Sequence, residues 1–435
     1  MKKKIALISH GCAKNLVDSE LMLGILDDGG YSVTLDEAES DIVIVNTCSF
    51  IHDAEKESVQ SIFEMLSKGK KVVVTGCLPQ KYQHELESLL PEAAAFVGTS
   101  DLSKIADVIE SLEKKKSVYC VSEKPDYIYP EQVLRRQITL GASSFLKIAE
   151  GCSYKCGYCV IPRLRGPYKS RPMENILREA NWLVSKGVNE IVLIAQDTTA
   201  YGKDIYGRYA LAELLEKLNK IEDLQWIRVM YTYPSTFSDE LIDAFSSLDK
   251  VVKYVDIPLQ HSHPDMLRAM YRPVLDYEKL IEKMRRKIDG VSIRSTFIVG
   301  YPSESEEQFE HLYNFVEKMR FDKVGVFEYC REKGTPSYSM KPQVLSKIKK
   351  ERRKKIMQMQ QVISKEINES FVGKVLPCIV ETVDSRGSVV ARSYRDAPEV
   401  DGYVYVKTDK PLIPGDIEPV RIISASEYDL FGETV

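Results

Sequence analysis

Between Phe145 and Tyr329 six short apolar runs alternate with helical stretches, roughly 30 to 40 residues apart. They are Phe145–Ala149, Glu190–Ala195, Ile227–Tyr233, Tyr254–Leu259, Ile293–Val299 and Lys323–Tyr329. Runs this short and this apolar fit strands buried on both faces, the pattern of parallel sheets. Repeated βα units close into a full or partial barrel and place their working groups at the C-terminal ends of the strands. The first part of the chain follows the same logic. Ile5–Ser9, Asp41–Asn46 and Val72–Thr75 are β-branched runs with helical patterns between them, so a smaller parallel sheet is expected there.

Two segments break the alternation. From Glu123 to Gly141 periodicity fades, and Lys-Pro-Asp-Tyr-Ile-Tyr-Pro with Arg135-Arg136 reads as a linker or extended hairpin. From Ser346 to Asn368 a basic helix is expected, with Leu345, Ile348, Ile356, Met359, Ile363 and Ile367 as its apolar stripe and a solvated Lys347–Lys355 face. The last 65 residues turn all-β, with runs at Leu376–Asp384, Ser388–Ser393, Tyr403–Thr408, Glu418–Ala425 and Asp429–Val435. Five such strands suggest a small antiparallel barrel of the oligonucleotide-binding type. The expected division is 1–122, a linker 123–141, 142–368 and 371–435, in line with two to four domains at about 150 residues each.

Composition narrows the class. With 44% hydrophobic and 29% charged residues in 435, the chain is neither disordered nor fibrous. No apolar run approaches the roughly 18 residues of a membrane span, and Ile5–Ile8 after Met1-Lys-Lys-Lys is too short for a signal peptide. A cytoplasmic place is expected, and there nine cysteines suit metal binding or catalysis better than disulfides. A net charge of −4 argues against a general nucleic-acid coat.

Six of those cysteines form two trios. Cys152, Cys156 and Cys159 lie in Glu150-Gly-Cys-Ser-Tyr-Lys-Cys-Gly-Tyr-Cys159, a C-x3-C-x2-C string just after the first strand of the long series. Three thiolates so close can hold three irons of a cubane cluster. Structural zinc wants four ligands, usually as two separated pairs, and the next cysteine is Cys330, so one iron would lack a protein ligand. The second trio is dispersed. Cys12, Cys48 and Cys77 each stand just past a strand, in His10-Gly-Cys12, Asn46-Thr-Cys48 and Thr75-Gly-Cys77. In a parallel sheet those ends lie along one edge, where such folds bind ligands. Packing cysteines at the rim, or zinc completed by His10, are the alternatives. Cys120, Cys330 and Cys378 lack such context and read as structural.

The C-x3-C-x2-C string in a βα barrel resembles the radical S-adenosylmethionine superfamily. Ile194-Ala-Gln196-Asp197-Thr-Thr-Ala-Tyr-Gly202 and Thr296-Phe-Ile298-Val-Gly300-Tyr-Pro302-Ser-Glu304 accompany it. Gly300 would let a nucleoside approach the backbone. Where the family often has a second Gly this chain has Ser303, which with Glu306 could form a capping box. The resemblance implies Tyr158, Gln196, Asp197, Ile298, Gly300 and Pro302 as cofactor-binding residues. Along the whole chain the resemblance is to the methylthiotransferases. It rests on Gly11-Cys12-Ala-Lys-Asn15 with Asp18-Ser19-Glu20, Asn46-Thr-Cys48, Gly76-Cys77, and Cys159-Val-Ile-Pro162 with Arg165-Gly166. It implies a TRAM-type terminal barrel, two 4Fe-4S clusters on the two trios, and two S-adenosylmethionines per turnover. A sulfur co-substrate would sit on the auxiliary cluster, and C–SCH3 would replace an unactivated C–H bond. A flavodoxin or ferredoxin would supply electrons.

That family splits by substrate. Ser9-His-Gly-Cys-Ala-Lys-Asn-Leu-Val-Asp18, Asp256-Ile-Pro-Leu-Gln-His261 and Ala391-Arg-Ser-Tyr-Arg-Asp-Ala-Pro-Glu-Val-Asp-Gly402 resemble the branch that modifies an aspartate of small-subunit ribosomal protein twelve, free or on the ribosome. Charge points the same way. From Phe371 to Val435 there are 7 Lys and Arg against 11 Asp and Glu, where an RNA-binding barrel needs a basic groove. Asp396, Glu399 and Asp401 in one loop would suit a basic protein partner, and Arg163, Arg165 and Lys169 could meet the substrate carboxylate. Two alternatives remain: a tRNA adenosine methylthiotransferase, which the Lys347–Lys355 run and Arg135-Arg136 would serve, and an iron–sulfur electron carrier with an RNA-binding tail.

Overall fold

The computed structural model describes residues 3–34, 36–49, 51–127, 129–130, 135–138, 141–384 and 387–435. Its chain divides into two compact units. The first comprises residues 1–140, 147–155 and 159–175, and the second residues 141–146, 156–158 and 176–435.

The first unit is built on a parallel sheet of six strands: β1 (Lys4–Ser9), β2 (Ser32–Thr34), β3 (Ile42–Thr47), β4 (Lys71–Gly76), β5 (Ala95–Val97) and β6 (Val118–Cys120). Their order is β2-β1-β3-β4-β5-β6, every pairing parallel. Strand alternation divides the core in two. Ile42 and Ile44 of β3 pack with Leu21, Met22 and Leu26 on one face, while Val43 and Val45 pack with Ile62 and Met65 on the other. The helix Ala13–Asp28 buries Asn15, Asp18, Ser19 and Glu20 as well as its apolar residues. Those polar groups turn inward because each has a partner there, as described below.

The expected linker is packed. Arg135 is buried and donates from Nε to Glu20 Oε2 at 2.7 Å. The Lys147 ammonium sits 5.1 Å above the Tyr127 ring, and Arg171 lies 3.5 Å above that of Tyr129. Arg136 is exposed and pairs with Asp27 at the surface; of the expected arginine pair only Arg135 is withdrawn into the fold. Residues 128, 131–134, 139 and 140 of that segment lie outside the described residues.

The second unit carries β7 (Ser143–Lys147), β10 (Glu190–Ile194), β11 (Trp226–Val229), β12 (Val251–Asp256), β13 (Ser292–Val299) and β14 (Lys323–Glu328); the short β8 (Ala149–Glu150) and β9 (Lys169–Ser170), which pair antiparallel, fall in the first unit. The order β14-β13-β12-β11-β10-β7 is an open sheet of six strands, a partial barrel. The chain ends in a closed barrel of β15 (Val375–Val383), β16 (Val389–Ser393), β17 (Val404–Lys407), β18 (Ile417–Ala425) and β19 (Leu430–Thr434). It departs from the all-antiparallel expectation at one place: β17 and β19 pair parallel, because β19 must slot between β17 and β18 to close the ring.

The basic helix spans Ser346–Glu369, but its buried face is mostly polar: Arg352, Gln360, Ser364 and Asn368 join Ile356 and Ile363. Leu345, expected in the stripe, is 69% exposed. Arg352 turns inward because Glu304 and Glu306 receive it, at 2.5 and 3.0 Å. The expected capping box also moves. Ser305, not Ser303, caps the helix Glu306–Met319 and pairs reciprocally with Gln308. The N3 partner of a cap must lie three residues on, and Ser303 instead adopts a left-handed φ of 68°.

Candidate functional site

In the first unit the strand ends gather the dispersed trio. Cys12 stands at the N-cap of the helix Ala13–Asp28, Cys48 follows β3, and Cys77 opens the helix Cys77–Tyr82. Two glycines let these ends close up. A Cβ on Gly11 (φ 93°) would lie 2.5 Å from Cys48 Cβ and 2.9 Å from its Sγ; one on Gly76 (φ 94°) would lie 2.4 Å from Asn46 Oδ1. Side-chain amides lock the junction. Asn15 donates to His10 O and Thr47 O, and Asn46 donates to Asn15 O and Ser19 Oγ, all between 2.8 and 3.0 Å.

A buried ionic node adjoins the trio. Arg165 Nη1 reaches Asp18 Oδ2 at 2.9 Å and Glu150 Oε2 at 3.1 Å, and its Nη2 reaches Asn15 Oδ1 at 2.5 Å and lies 3.9 Å from Cys77 Sγ. Lys147 completes the node against Glu150, at 2.7 Å, and Asp18. Two cations thus face two carboxylates. Burial would raise the Glu150 carboxyl, but Lys147 and Arg165 hold it well below the ordinary range. Burial pushes the Cys77 thiol up, with Arg165 opposing. At Cys12 desolvation also opposes ionisation, although the residue opens to solvent, and Lys14 and Arg165 outweigh it to bring the thiol down. Arg165, expected to meet substrate, is therefore committed to this node at 3% exposure. Arg163 is exposed, and the half-buried Lys169 pairs with Asp126.

His10 does not serve the trio as a fourth ligand here. Its Nε2 meets Ser61 Oγ at 2.8 Å and its Nδ1 lies 3.5 Å from Glu57. Among the described residues no three His, Cys, Asp or Glu side chains group around a single ion position, as zinc would require. Thiols that each bind a different iron of a cubane need no such common point.

The compact trio lies on the loop after β8. Cys152 and Cys159 belong to the first unit and are partly exposed; Cys156 belongs to the second and is buried. Cys152 N is held by Gly166 O at 3.0 Å. In the second unit Tyr158 and Ile298, at the edge of one apolar cluster, pack against Met266, Met270, Tyr301 and Tyr329. Gln196 is half-buried just past β10. The neighbouring Asp197 is buried and shapes the turn, accepting from Thr199 N at 2.9 Å and Ala200 N at 3.3 Å. Pro302 is buried, and the Gly300 amide (φ 72°) donates to Glu304 Oε2 at 2.5 Å. The space a Gly300 Cβ would take holds the stem of Lys349, 2.3 Å away at Cγ, so the expected close approach is made by a side chain of this protein.

Sequence reasoning missed the groups that organise this region. Glu304 joins Gly300 N to Arg352 and to His261, whose Nε2 lies 3.1 Å from Oε1. His261 Nδ1 accepts from the amides of Ser262 and His263, both at 3.0 Å, which assigns the proton to Nε2. Burial lowers its pKa, so the ring is neutral. Arg272 was also missed: it is 7% exposed, and its guanidinium lies 4.5 Å above the Tyr233 ring. The only sequence signal was Glu304 four residues after Gly300, and His261 within a string that marked a branch.

The acidic loop turns inward, against expectation. Asp396 pairs with Lys323 at 2.7 Å and accepts from Ser393 Oγ; Asp401 accepts from Tyr254 Oη at 2.6 Å and Ala397 N at 2.9 Å. These carboxylates fasten the terminal barrel to the ends of β12 and β14, which offer Tyr254 and Lys323. Burial would raise Asp396, yet Lys323 and Arg395 bring it down. Glu399 alone of the three is exposed.

Comparison with known proteins follows this layout. Residues 4–98 match an uncharacterised protein family, UPF0004, residues 146–316 the radical SAM superfamily, and residues 372–435 the TRAM domain. The ribosomal protein uS12 methylthiotransferase RimO of Thermoanaerobacter sp. (strain X514) is 48% identical over 437 residues, covering 99% of this chain and 100% of its own. The same enzyme of Trichormus variabilis (strain ATCC 29413 / PCC 7937) is 47% identical, covering 100% of this chain and 99% of its own. Among solved structures, the radical S-adenosylmethionine methyltransferase TsrM of Kitasatospora setae aligns at a TM-score of 0.59 and 14% identity, over 87% of this chain and 81% of that one, a likeness of fold. Among the described residues no helix is long and apolar enough to cross a membrane.

Proposed function

The chain belongs to the ribosomal protein uS12 methylthiotransferases, and from that premise we propose that it replaces a hydrogen on the β carbon of an aspartate of uS12 by a methylthio group. The observation that carries this reading is the 48% identity to such an enzyme across 99% of the chain. The donor sets fit. Three cysteines on one loop and three at neighbouring strand ends are soft thiol ligands suited to iron–sulfur groups. The guanidinium of Arg272, buried near Cys156, and that of Arg165 beside Cys77 supply positive charge to each.

In this reading Cys152, Cys156 and Cys159 hold one 4Fe-4S cluster, and Cys12, Cys48 and Cys77 an auxiliary one bearing the sulfur to be transferred. When bound, S-adenosylmethionine would supply the radical chemistry that opens an unactivated C–H bond. The side chains position and shield. Tyr158 and Ile298 present an apolar wall, while Glu304 fixes the Gly300 amide. Gln196 and Asp197 stand at the end of β10. Arg165 ties the loop after Cys159 to Asn15 and Asp18, three and six residues beyond Cys12. Arg163 and Lys169 are the basic residues left to meet the substrate carboxylate, and Glu399 the acidic one to meet a basic partner. The division 1–122, 123–141, 142–368 and 371–435, a cytoplasmic place, and a flavodoxin or ferredoxin as electron donor belong to the same proposal.

The test is mass spectrometry of uS12 and of tRNA from a strain whose own enzyme is deleted and which expresses this chain. A methylthio group restored to an aspartate of uS12 is expected; one restored to tRNA adenosine, with uS12 unmodified, overturns the substrate. Iron content with each trio changed to Ala separately should fall by about four per chain each time.

A further inference from the structure

Arg272 follows the helix Pro264–Ala269 and is 7% exposed. Its Nη2 donates to Pro258 O at 2.7 Å, and its Nη1 reaches Tyr158 Oη at 3.4 Å. The Tyr233 ring lies under it at 4.5 Å, and its Nε has no hydrogen-bond partner among the described residues. No carboxylate among the described residues forms an ion pair with it, although the buried Arg135, Arg165, Arg228, Arg352, Arg392 and Arg395 each have one. A buried charge left without a counter-ion is strongly unfavourable.

The guanidinium's charge is opposed by burial and supported by Tyr158, Tyr233, Cys156 and Tyr277. Three of these four are phenols, neutral at pH 7. The fourth is a cysteine, which becomes a thiolate outright when it binds metal. Arg272 and Cys156 both belong to the second unit, and the chain just after Cys156 is pinned to the segment before Arg272: Gly157 N donates to Met270 O at 2.8 Å, and Arg272 Nη1 reaches Tyr158 Oη at 3.4 Å.

We propose that Arg272 is the counter-charge of the iron–sulfur group bound through Cys156 and makes that group easier to reduce. The inference rests on the reading of Cys152, Cys156 and Cys159 as cluster ligands. Reduction adds one electron to a group already made anionic by its thiolates, and a nearby fixed cation in a poorly solvated place favours the more negative state. The electron comes from an external low-potential donor, for which dithionite is the probe. Arg272 is thus a positioning residue for charge.

The experiment uses the full chain with Cys12, Cys48 and Cys77 changed to Ala, so that one cluster remains. After anaerobic loading with iron and sulfide, its reduction is titrated with dithionite and followed by electron paramagnetic resonance. In this background Arg272→Gln and Arg272→Met should each lower the reduction equilibrium constant about tenfold, 59 mV for a one-electron couple. Arg272→Lys, which keeps the charge, should shift it by less than half as much. Gln and Met variants that hold the cluster and titrate with the parent overturn the proposal. Loss of iron in these two with retention in the Lys variant supports the need for charge, whereas loss in all three overturns it in favour of packing. A parent that binds no iron defeats the ligand reading instead, so the two failures are distinguishable.

Discussion

Arg165 and Arg272 are both buried, and each lies near a cysteine of one of the two trios. Arg165 faces Asp18 and Glu150 and shares them with Lys147, so its charge is balanced inside the fold. Arg272 has a carbonyl and aromatic rings around it and no carboxylate among the described residues. A balanced buried cation holds parts of a chain together and is costly to remove, because its partners are left as unpaired charges. An unbalanced one is a cost to the fold until an anion comes beside it. The same residue type beside two cysteine trios thus stands in two different charge environments, and local charge balance distinguishes them.

The largest expected effect tests this contrast directly. In iron-free protein Arg165→Met should lower unfolding stability by about 4 kcal/mol, the range for breaking a buried pair, read from urea denaturation. Arg272→Met should not lower it, since no carboxylate is orphaned and an uncompensated buried charge is removed. Equal losses would erase the distinction. An intermediate case lies at Glu190, one carboxylate between Arg228 and Arg392, at 2.7 and 2.5 Å. Burial would raise it, but Arg392 and Arg228 hold it at about 2, from 4.5. A depressed carboxyl contributes stability that is complete above its unfolded pKa and is lost as pH falls through the folded value. Stability of the second unit should therefore drop by about 3 kcal/mol between pH 4.5 and 2, and Glu190→Gln should flatten that slope. An unchanged slope would show the pair to be weak.

The smallest effect repeats the contrast at two serines. Ser305→Ala removes the acceptor for Gln308 N, at 3.2 Å, and should cost about 1 kcal/mol. Ser303→Ala removes only a hydroxyl that donates to Lys341 O at an exposed site, and should cost less than about 0.5 kcal/mol in thermal unfolding. The reverse order would favour the box expected from Ser303 and Glu306.

These sites also mark what the sequence could convey. The long β-branched runs were legible because burial on both faces leaves them no polar positions, and β1, β3 and β4 appear within a residue or two of expectation. The three-residue strands β2, β5 and β6 were not, since so few residues cannot express a period. The dispersed cysteines were readable from their position after strands, which needs only local pattern. The node around Arg165 was not, because Asp18 lies 147 residues away and only the folded chain brings it near. Asp396 and Asp401 misled for the same reason: an acidic loop looks like display until Lys323 and Tyr254 are seen beneath it.

One contact couples two distant stretches of chain. The stem of Lys349 plugs the hollow beside Gly300 while its ammonium grips the Tyr329 carbonyl at 2.7 Å. The turn at Gly300 is consequently geared to the long basic helix. The turn cannot relax into that hollow while the lysine stem fills it, so the path of the chain at Gly300 and the seating of the helix are one packing unit.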